Sequence, residues 1–327
     1  MSQLAFIEAL QHLRTPPLTI LMGAVTMLGD ERIVVAGAGL LYLCVQRRLG
    51  LCALALFFVS AIVNDTVKTW AATARPFVVG APQVVPLMQF TGGGWAFPSG
   101  HAQTVFALGT YLALSLRQRR WWLLAAAAFV LVPFSRMYLA MHWPVDVLGG
   151  AALGSLLGAG LYLLQPGGET PPPGRSHPRS RWGRRLACPP QGLADADLRT
   201  APPSTDPPAE PRPWPWYVLA GLLALGLALG AAQPDGPTAT VRAGAGLAAL
   251  LLGYTALVEW SGGYEPTGTT RARLVRGLLG LVAVAATAAA CELLLPHTMW
   301  KRLVAAALPV LVLVWAYPYL LRRLTRR

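Results

Sequence analysis

Three short clusters of polar residues interrupt a largely apolar chain. They read KTWAATARP at 68–76, PSGH at 98–101 and SRMYLAMHWPVD at 135–146. Two guanidinium groups and an ammonium group can neutralise a tetrahedral oxyanion from several directions, the arginines through forked hydrogen bonds. The clusters therefore predict a phosphate-binding site in which Lys68, Arg75 and Arg136 supply the positive charge.

The second cluster is predicted to cradle a phosphate at the start of a helix. Ser99 and Gly100 directly precede an apolar run, so their backbone N–H groups and the helix dipole can point at phosphate oxygens. Gly100 also lets the backbone approach closely. In the first cluster, Lys68 and Arg75 are seven residues apart and are expected to share one face of a helix that Pro76 ends.

Two histidines and an aspartate offer the remaining chemistry. Asp146 follows His142 by four residues, near the start of a helix with Pro144 in its first turn. From there the carboxylate can hydrogen-bond one imidazole nitrogen and leave the other free to attack phosphorus. His101 is then left as the proton donor to the leaving alcohol.

Each cluster also has an ordinary structural interpretation. Lys68 and Arg75 can be snorkelling anchors at a helix end. Ser99 can be an N-cap, with His101 a polar residue of the first turn. His142 can belong to an interfacial belt. The occurrence of all three clusters in one chain favours the phosphate site.

The motifs K-x6-R-P, P-S-G-H and S-R-x5-H-x3-D, in this order, resemble the three-part signature of the type 2 phosphatidic acid phosphatase superfamily. Every signature position is filled, by Lys68, Arg75, Pro76, Pro98, Ser99, Gly100, His101, Ser135, Arg136, His142 and Asp146. The resemblance covers roughly residues 17–164. It implies a helical membrane core whose site opens at the outer leaflet or lumen and uses no metal or other cofactor.

The resemblance also implies a role for each residue. His142 would be the nucleophile that forms a phosphohistidine, Asp146 would orient it, and His101 would protonate the leaving group and later help to activate water. The phosphoryl oxygens would be held by Lys68, Arg75, Ser99, Gly100 and Arg136. The apolar segment VVGAPQVVPLMQFTGGGW between the first two motifs is expected to lie at the membrane interface and admit a lipid tail.

The composition places these motifs in a membrane protein. Hydrophobic residues make up 54% of the 327 residues and charged residues only 13%, against about a quarter in ordinary soluble domains. The predicted fold is an all-α polytopic transmembrane bundle of about nine or ten spans. The apolar stretches are 17–29, 33–46, 51–67, 102–116, 121–140, 146–164, 215–232, 241–258, 276–295 and 302–321.

Arginine clusters between these stretches predict the orientation. They lie at 47–48, 117–120, 165–213, 271–276 and 322–327, all on one side if every stretch from 33 onward spans. The positive-inside rule makes that side cytoplasmic and puts all three motifs on the other side. Residues 17–29 are short for a crossing and residues 3–13 look amphipathic, which leaves nine and ten spans open.

Composition also divides the chain into three parts. Residues 1–164 form the predicted catalytic membrane domain, and the proline- and arginine-rich residues 165–213 form a disordered linker. Residues 214–327 form a four-helix membrane domain that can gate lipid access, bind a partner or pair protomers. In it, Glu292 is interpreted as an interfacial ion-pair partner of Lys301 or Arg302.

The predicted function is hydrolysis of a lipid phosphate or diphosphate, such as an isoprenoid diphosphate, phosphatidic acid or phosphatidylglycerol phosphate. A glucose-6-phosphatase-like sugar phosphatase and a lipid phosphotransferase are alternatives that use the same site. A transporter that only binds phosphate headgroups is a weaker alternative, because binding needs charge but no oriented imidazole.

Partners and compartment follow from the same features. The net charge of +13 resides in short arginine clusters suited to anionic lipid, which argues against nucleic acid. The expected partners are the lipid phosphate substrate and membrane lipids, and pairing of protomers through the C-terminal helices stays open.

The four cysteines lack metal-ligand spacing. The arginine- and alanine-rich composition, without a cleavable signal, predicts a bacterial inner membrane with the site facing the periplasm or exterior. The eukaryotic endoplasmic reticulum stays open as the alternative compartment.

Overall fold

The structure is a computed structural model that describes residues 2–79, 94–165, 220–221, 224, 238–261, 264, 266–296 and 298–325. Within these residues all regular secondary structure is helical, which confirms the predicted all-α class. The predicted linker 165–213 lies outside the described residues beyond Gln165. Of the apolar stretch 215–232, only residues 220, 221 and 224 are described.

Twelve helices are described: α1 Gln3–His12, α2 Pro16–Thr26, α3 Glu31–Leu40, α4 Arg47–Ala71, α5 Pro76–Val79, α6 Gly100–Leu116, α7 Arg119–Tyr138, α8 Pro144–Leu163, α9 Thr238–Ser261, α10 Thr270–Leu294, α11 Met299–Leu311 and α12 Tyr317–Thr325. A 3-10 turn at Met27–Gly29 follows α2. One π turn, Leu41–Val45, extends α3, and another, Val312–Ala316, joins α11 to α12.

Six segments of the described chain are long and apolar enough to cross a membrane: Arg47–Val79, Arg119–Tyr138, Pro144–Leu164, Thr240–Glu259, Thr270–Leu294 and Trp300–Leu324. Pro16–Gly29 is a shorter apolar helix, as its sequence predicts. Large apolar side chains on these segments stand outside the protein core, for example Leu156 at 71% and Val282 at 65% exposure. The protein is an integral membrane protein.

The polar motifs share one end of the helix bundle. Helices α4 and α7 end there, and α6 and α8 begin there. The Ser99 N–H, before α6, donates a hydrogen bond to the Asp146 carbonyl in α8 at 2.9 Å. The arginine clusters 47–48 and 117–120 lie at the opposite ends of the same helices.

Helices α6 and α8 approach closely because glycine lines one face of α8. Gly150, Gly154 and Gly158 recur at intervals of four residues, and each is buried. A Cβ added at Gly154 would collide with the backbone of Gln103 in α6. Small residues at this spacing let two membrane helices pack backbone to backbone. The contact fixes the start of α8, which carries Asp146, against the start of α6.

The C-terminal helices pack against α3 and α4. The Asp65 carboxylate of α4 accepts hydrogen bonds from the backbone N–H and the hydroxyl of Thr240, at 2.8 and 2.7 Å. Aromatic hydroxyls add further links, from Tyr42 to the Val314 carbonyl at 3.1 Å and from Tyr264 to the Leu43 carbonyl at 2.9 Å. Both parts of the chain therefore contribute to one hydrophobic core.

The ion pair predicted within the C-terminal part is present. The Lys301 ammonium lies 2.9 Å from the Glu292 carboxylate and also donates to the Glu292 carbonyl at 2.8 Å. Glu292 itself is 67% exposed. This pairing agrees with the structural interpretation of Glu292 rather than a catalytic one.

Candidate active site

The first motif departs from its predicted geometry. Helix α4 ends at Ala71, and Ala72 adopts a left-handed conformation with φ of 45°. Lys68 is therefore in the last turn of α4, whereas Arg75 lies in the non-helical segment 72–75. The prediction that the two residues share one helix face is wrong. Pro76 disfavours the α conformation at Arg75, and its ring would clash with the Ala72 carbonyl in a continued helix, so α4 cannot extend through this segment.

The two cations of this motif bind the segment that leads to the second motif. The Lys68 ammonium donates to the carbonyls of Trp95 and Ala96 at 2.8 and 3.2 Å. The Arg75 guanidinium donates from Nε to the Gly94 carbonyl at 2.9 Å and from Nη2 to the Trp95 carbonyl at 3.3 Å. The first motif thus holds the entry to the PSGH turn.

Arg75 also reaches the third motif. Its Nη1 donates to the Met141 carbonyl at 2.9 Å and lies 3.5 Å from Nε2 of His142. Arg75 is 4% exposed. One guanidinium therefore connects the ends of α4 and α7 across the site.

Ser99 and His101 keep buried polar atoms for another partner. Ser99 occupies the N-cap position of α6, but its side chain makes no capping hydrogen bond. Among the described residues neither Ser99 Oγ nor His101 Nε2 has a hydrogen-bond partner, although both atoms are buried. Buried polar groups are nearly always paired, so these two atoms suit a ligand that brings its own oxygens. The N-cap interpretation of Ser99 does not account for them.

One detail of the predicted cradle is wrong. The Ser99 backbone N–H donates to the Asp146 carbonyl, so it is engaged within the protein and does not point at a phosphate. The hydroxyl is the group of Ser99 that remains for an oxyanion. Gly100 begins α6, and a Cβ there would lie 3.2 Å from Asn64 Oδ1, so the site is tightly packed at this glycine.

His142 and Asp146 form a buried pair. His142 lies in the turn between α7 and α8, and its Nδ1 is 3.4 Å from Asp146 Oδ2, with the side chains 2% and 1% exposed. The same carboxylate oxygen accepts the Trp143 N–H at 2.8 Å, which fixes the carboxylate at the start of α8. The imidazole therefore has Nδ1 towards the carboxylate, as the spacing of the two residues predicts, but among the described residues Nδ1 makes no hydrogen bond. Nε2 is not free as predicted, because Arg75 Nη1 lies 3.5 Å from it.

Arg136 is fully buried, at 0% exposure. Its Nη1 donates to the hydroxyl of Thr26 at 3.1 Å. The neighbouring Ser135 donates to the Val132 carbonyl of its own helix at 2.7 Å. The guanidinium of Arg136 therefore lies at the end of α7, and the hydrogen bond to Thr26 links it to α2.

The site is electrostatically positive. Lys68, Arg75 and Arg136 outnumber the carboxylate of Asp146, an excess that suits a phosphate dianion. Burial lowers the pKa of His142 well below its ordinary value, and the charges of Arg136, Arg75 and Lys68 lower it further. A neutral imidazole, the nucleophilic form, is therefore favoured at this position.

Sequence reasoning missed a polar network beneath the PSGH turn. Asn64 Nδ2 donates to the Pro98 carbonyl at 3.3 Å and to Gln103 Oε1 at 2.8 Å. Gln103 in turn donates to the carbonyl and hydroxyl of Ser60, at 2.9 and 3.0 Å. The available signal was a series of polar residues on otherwise apolar helices, Asn64 being one turn before Lys68.

Two further predictions fall partly outside the described residues. The lipid-admitting segment VVGAPQVVPLMQFTGGGW is described only at its ends, because residues 80–93 lie outside. In the part of the chain that the structure describes, no group of three or more His, Cys, Asp or Glu side chains is arranged to hold a metal ion. Catalysis without a metal stays a prediction.

Two family descriptions match the chain. Residues 49–168 match the PAP2 superfamily, and residues 241–326 match the PAP2 superfamily phosphatase, transmembrane extension. The first match contains all three motifs. The second match covers α9–α12, for which the sequence itself suggests no family.

Curated relatives include phosphatases from an archaeon and a bacterium. Undecaprenyl-diphosphatase of Sulfolobus acidocaldarius is 32% identical over 33% of this chain and 52% of its own length. Phosphatidylglycerophosphatase B of Bacillus subtilis is 31% identical over 47% of this chain and 78% of its own length. The chain thus spans about half of the first relative and more than three quarters of the second.

A solved structure is also similar. The crystal structure of a transmembrane PAP2 type phosphatidylglycerolphosphate phosphatase from Bacillus subtilis is 30% identical. It covers 49% of this chain and 82% of its own, with a TM-score of 0.41.

Proposed function

Because this integral membrane protein belongs to the PAP2 superfamily, we propose that it hydrolyses lipid phosphates or diphosphates through a phosphohistidine at His142. The observation that carries the proposal is the setting of the imidazole. Its Nδ1 lies 3.4 Å from Asp146 Oδ2, and its Nε2 lies 3.5 Å from Arg75 Nη1. A transporter that only binds headgroups needs the guanidinium but not an imidazole oriented by a carboxylate.

In the first step, Nε2 of neutral His142 attacks phosphorus, and the bond from phosphorus to the leaving oxygen breaks. Asp146 stabilises the imidazolium that forms, through Nδ1–H. Burial, with the charges of Arg136, Arg75 and Lys68, lowers the pKa of His101 as well, so its protonation depends on a bound phosphate dianion that offsets those charges. Protonated His101 gives its proton to the leaving oxygen, which departs as an alcohol from a monoester or as a lipid phosphate from a diphosphate. Lys68, Arg75, Arg136, the Ser99 hydroxyl and the Gly100 backbone hold the other phosphoryl oxygens.

In the second step, water attacks the phosphohistidine. His101, now deprotonated, takes a proton from this water, and the bond between phosphorus and Nε2 breaks. Inorganic phosphate leaves, and His142 returns to the neutral form. The two histidines therefore alternate between their proton states without a net change over one turnover.

A lipid substrate is favoured over a sugar phosphate by the surroundings of Asp146. A cavity of about 450 Å³ borders this residue, and apolar side chains such as Leu4, Phe97 and Val145 contribute to its lining. The apolar side chains suit a hydrocarbon chain, and Gln3, Thr73 and Trp143 border the same cavity. The relatives named undecaprenyl-diphosphatase and phosphatidylglycerophosphatase B also point to lipid substrates.

The test is phosphate release by the purified protein in detergent. Isoprenoid diphosphate, phosphatidic acid and phosphatidylglycerol phosphate would be compared with glucose 6-phosphate, each with and without EDTA. We expect release from at least one lipid, unchanged by EDTA, and a loss of about 1,000-fold or more in His142→Ala because the nucleophile is gone. His12→Ala, which removes an exposed histidine of α1, is the matched control.

Each alternative has its own outcome in this assay. Release from glucose 6-phosphate alone would replace the lipid substrate with a sugar phosphate. Transfer of phosphate to a second lipid without release would indicate a phosphotransferase, and binding without either reaction would indicate a transporter. Full activity of His142→Ala would contradict the proposed nucleophile.

We further propose that the site faces the periplasm or exterior of a bacterial inner membrane, because the arginine clusters lie at the other helix ends. Each end of the helix bundle offers an exposed residue for labelling. Trp70, near Lys68, is 85% exposed at the end that carries the site, and Arg119 is exposed at the opposite end. With the native cysteines replaced, Trp70→Cys should react with an impermeant maleimide in intact cells. Arg119→Cys should react only after permeabilisation. The reverse labelling pattern would show that the site faces the cytoplasm and would contradict the proposed orientation.

A further inference from the structure

Residues 26–29, the corner after α2, touch two side chains of the site although they precede the family match, which begins at residue 49. We propose that this corner is a working part of the phosphate site. Thr26 is a positioning residue for Arg136, and Gly29 provides the space that His101 needs. The proposal rests on the proposed function, since it gives Arg136 and His101 the roles described above.

The contact between Thr26 and Arg136 is buried on both sides. Both side chains are 0% exposed, and the Thr26 hydroxyl accepts a hydrogen bond from Arg136 Nη1 at 3.1 Å. A guanidinium is a planar fork, so fixing one nitrogen limits the directions in which its other N–H groups can point. The hydroxyl thereby sets the plane in which Arg136 meets the phosphoryl oxygens. Thr26 need not touch the substrate to do so.

Gly29 has no side chain, and this leaves room for His101, the proposed proton donor. A Cβ at this position would lie 2.9 Å from His101 Cβ, 3.0 Å from its Cα and 3.1 Å from its Cδ2. Two of these atoms belong to the rigid start of α6, so a side chain at position 29 would displace His101. Glycine is thus required here by close approach.

The corner is anchored firmly enough to act in this way. The Thr19 hydroxyl in α2 lies 3.2 Å from the Tyr138 hydroxyl in α7, and Gln11 of α1 donates to the Tyr138 carbonyl at 2.9 Å. Met22 of α2 and Tyr138 belong to one buried apolar cluster. Helix α2 therefore packs along α7, the helix that carries Arg136.

Thr26→Val tests the hydroxyl, because valine keeps the shape of threonine but accepts no hydrogen bond. We expect kcat/KM to fall by about tenfold to a hundredfold, as for loss of a hydrogen bond to a charged group. Affinity for orthovanadate, measured by ligand-induced thermal stabilisation, should fall by about tenfold or more on the same ground. Thr26→Ser keeps the hydroxyl and should restore both quantities to within a few fold of the wild type.

Thr19→Val is the matched control, since it removes a half-buried hydroxyl from the same helix face towards Tyr138. A structural effect alone would lower the melting temperature of both valine variants and leave vanadate affinity unchanged in both. The proposal expects vanadate affinity to fall only in Thr26→Val. Equal vanadate affinity in Thr26→Val and the wild type would overturn the role of Thr26.

Gly29→Ala tests the second half of the proposal. It should lower kcat by about tenfold or more, as for misplacement of a general acid, with a smaller change in vanadate affinity. Gly37→Ala in α3 is its control, because nothing lies within 4 Å of a Cβ there. A wild-type kcat in Gly29→Ala would overturn the role of Gly29.

Failure of the proposed function can be distinguished from failure of the inference about residues 26–29. If the wild type releases no phosphate from any substrate, the proposed function fails, whereas vanadate binding still reports on Thr26. If the wild type turns over and the variants of the corner match it, the inference fails and the proposed function stands.

Discussion

The imidazole of His142 lies between a carboxylate and a guanidinium, and this setting determines both its orientation and its charge. Asp146 is fixed at the start of α8 by the Trp143 N–H, so it offers Oδ2 to Nδ1 rather than to solvent. On the other side of the ring, Nε2 lies beside Arg75. The cations proposed to hold a phosphate thus also favour the neutral form of the His142 imidazole.

This setting predicts an unusual pH dependence at the residue scale. Burial and three nearby cations lower the pKa of His142, so the neutral, reactive imidazole should persist as the pH falls through 6.5. The acid limb of kcat/KM, which reports the free enzyme, should lie well below that pH. It would be measured after correction for the substrate's own ionisation, determined by phosphorus NMR. An acid limb at or above pH 6.5 would show that His142 is an ordinary histidine.

The residues proposed to bind phosphate could be picked out from the sequence because their types are rare in an apolar chain. Thr26 and Asn64, which hydrogen-bond residues in and around the motifs, could not be predicted, since they carry common polar side chains with no fixed spacing from the motifs. Their role arises from packing between helices distant in the chain. The placement of Arg75 on the same helix face as Lys68 was mispredicted. Residues seven apart share a face only if the helix includes both, and α4 ends at Ala71, before Arg75.

At the scale of elements, the contact between α6 and α8 brings the second and third motifs together. Gly150, Gly154 and Gly158 allow the two helices to touch through their backbones, as the G-x3-G-x3-G spacing itself indicates. The positions of the helices could be predicted from hydropathy. Which helices pack against each other was not predicted. The glycine spacing is the sequence signal that would have predicted this pair.

Gly154→Ala should therefore separate α6 from α8. The new methyl group meets the backbone of Gln103, which cannot move away as a side chain could. Overpacking of this kind costs about 1–3 kcal/mol, so the melting temperature should fall by about 2–6 °C. Activity should fall as well, because Asp146 shifts relative to Ser99.

Gly160→Ala provides the control on the same helix, since nothing lies within 4 Å of a Cβ there. It should melt at or above the wild-type temperature, because alanine favours helix over glycine. Equal melting temperatures for both variants would contradict the close contact of α6 and α8. Thermal unfolding in detergent, followed by circular dichroism, measures both.

At the scale of the whole molecule, the transmembrane extension joins the catalytic part near the site. Asp65, three residues before Lys68, accepts two hydrogen bonds from Thr240 at the start of α9. An exposed ion pair between Glu31 and Arg242, at 3.1 Å, lies in the same interface. The sequence separates the two parts by a proline-rich segment, and that separation gave no sign that they share a core.

The interface predicts unequal effects of two acidic residues. Asp65→Ala removes the acceptor of two short hydrogen bonds and should lower the melting temperature by about 2–6 °C. Glu31→Ala breaks a pair whose side chains are about half exposed, so the change should be below about 2 °C. Similar melting temperatures for Asp65→Ala and the wild type would show that the extension is not held through Thr240.

The most direct test of the whole account is to trap the phosphorylated enzyme. Purified protein would be mixed with lipid phosphate labelled in its phosphoryl group, quenched in alkali during turnover and digested for mass spectrometry. Catalysis through a phosphohistidine predicts label on His142, no label in His142→Ala, and normal labelling in His12→Ala. Label on another residue, or rapid turnover with no labelled protein at any time, would contradict it.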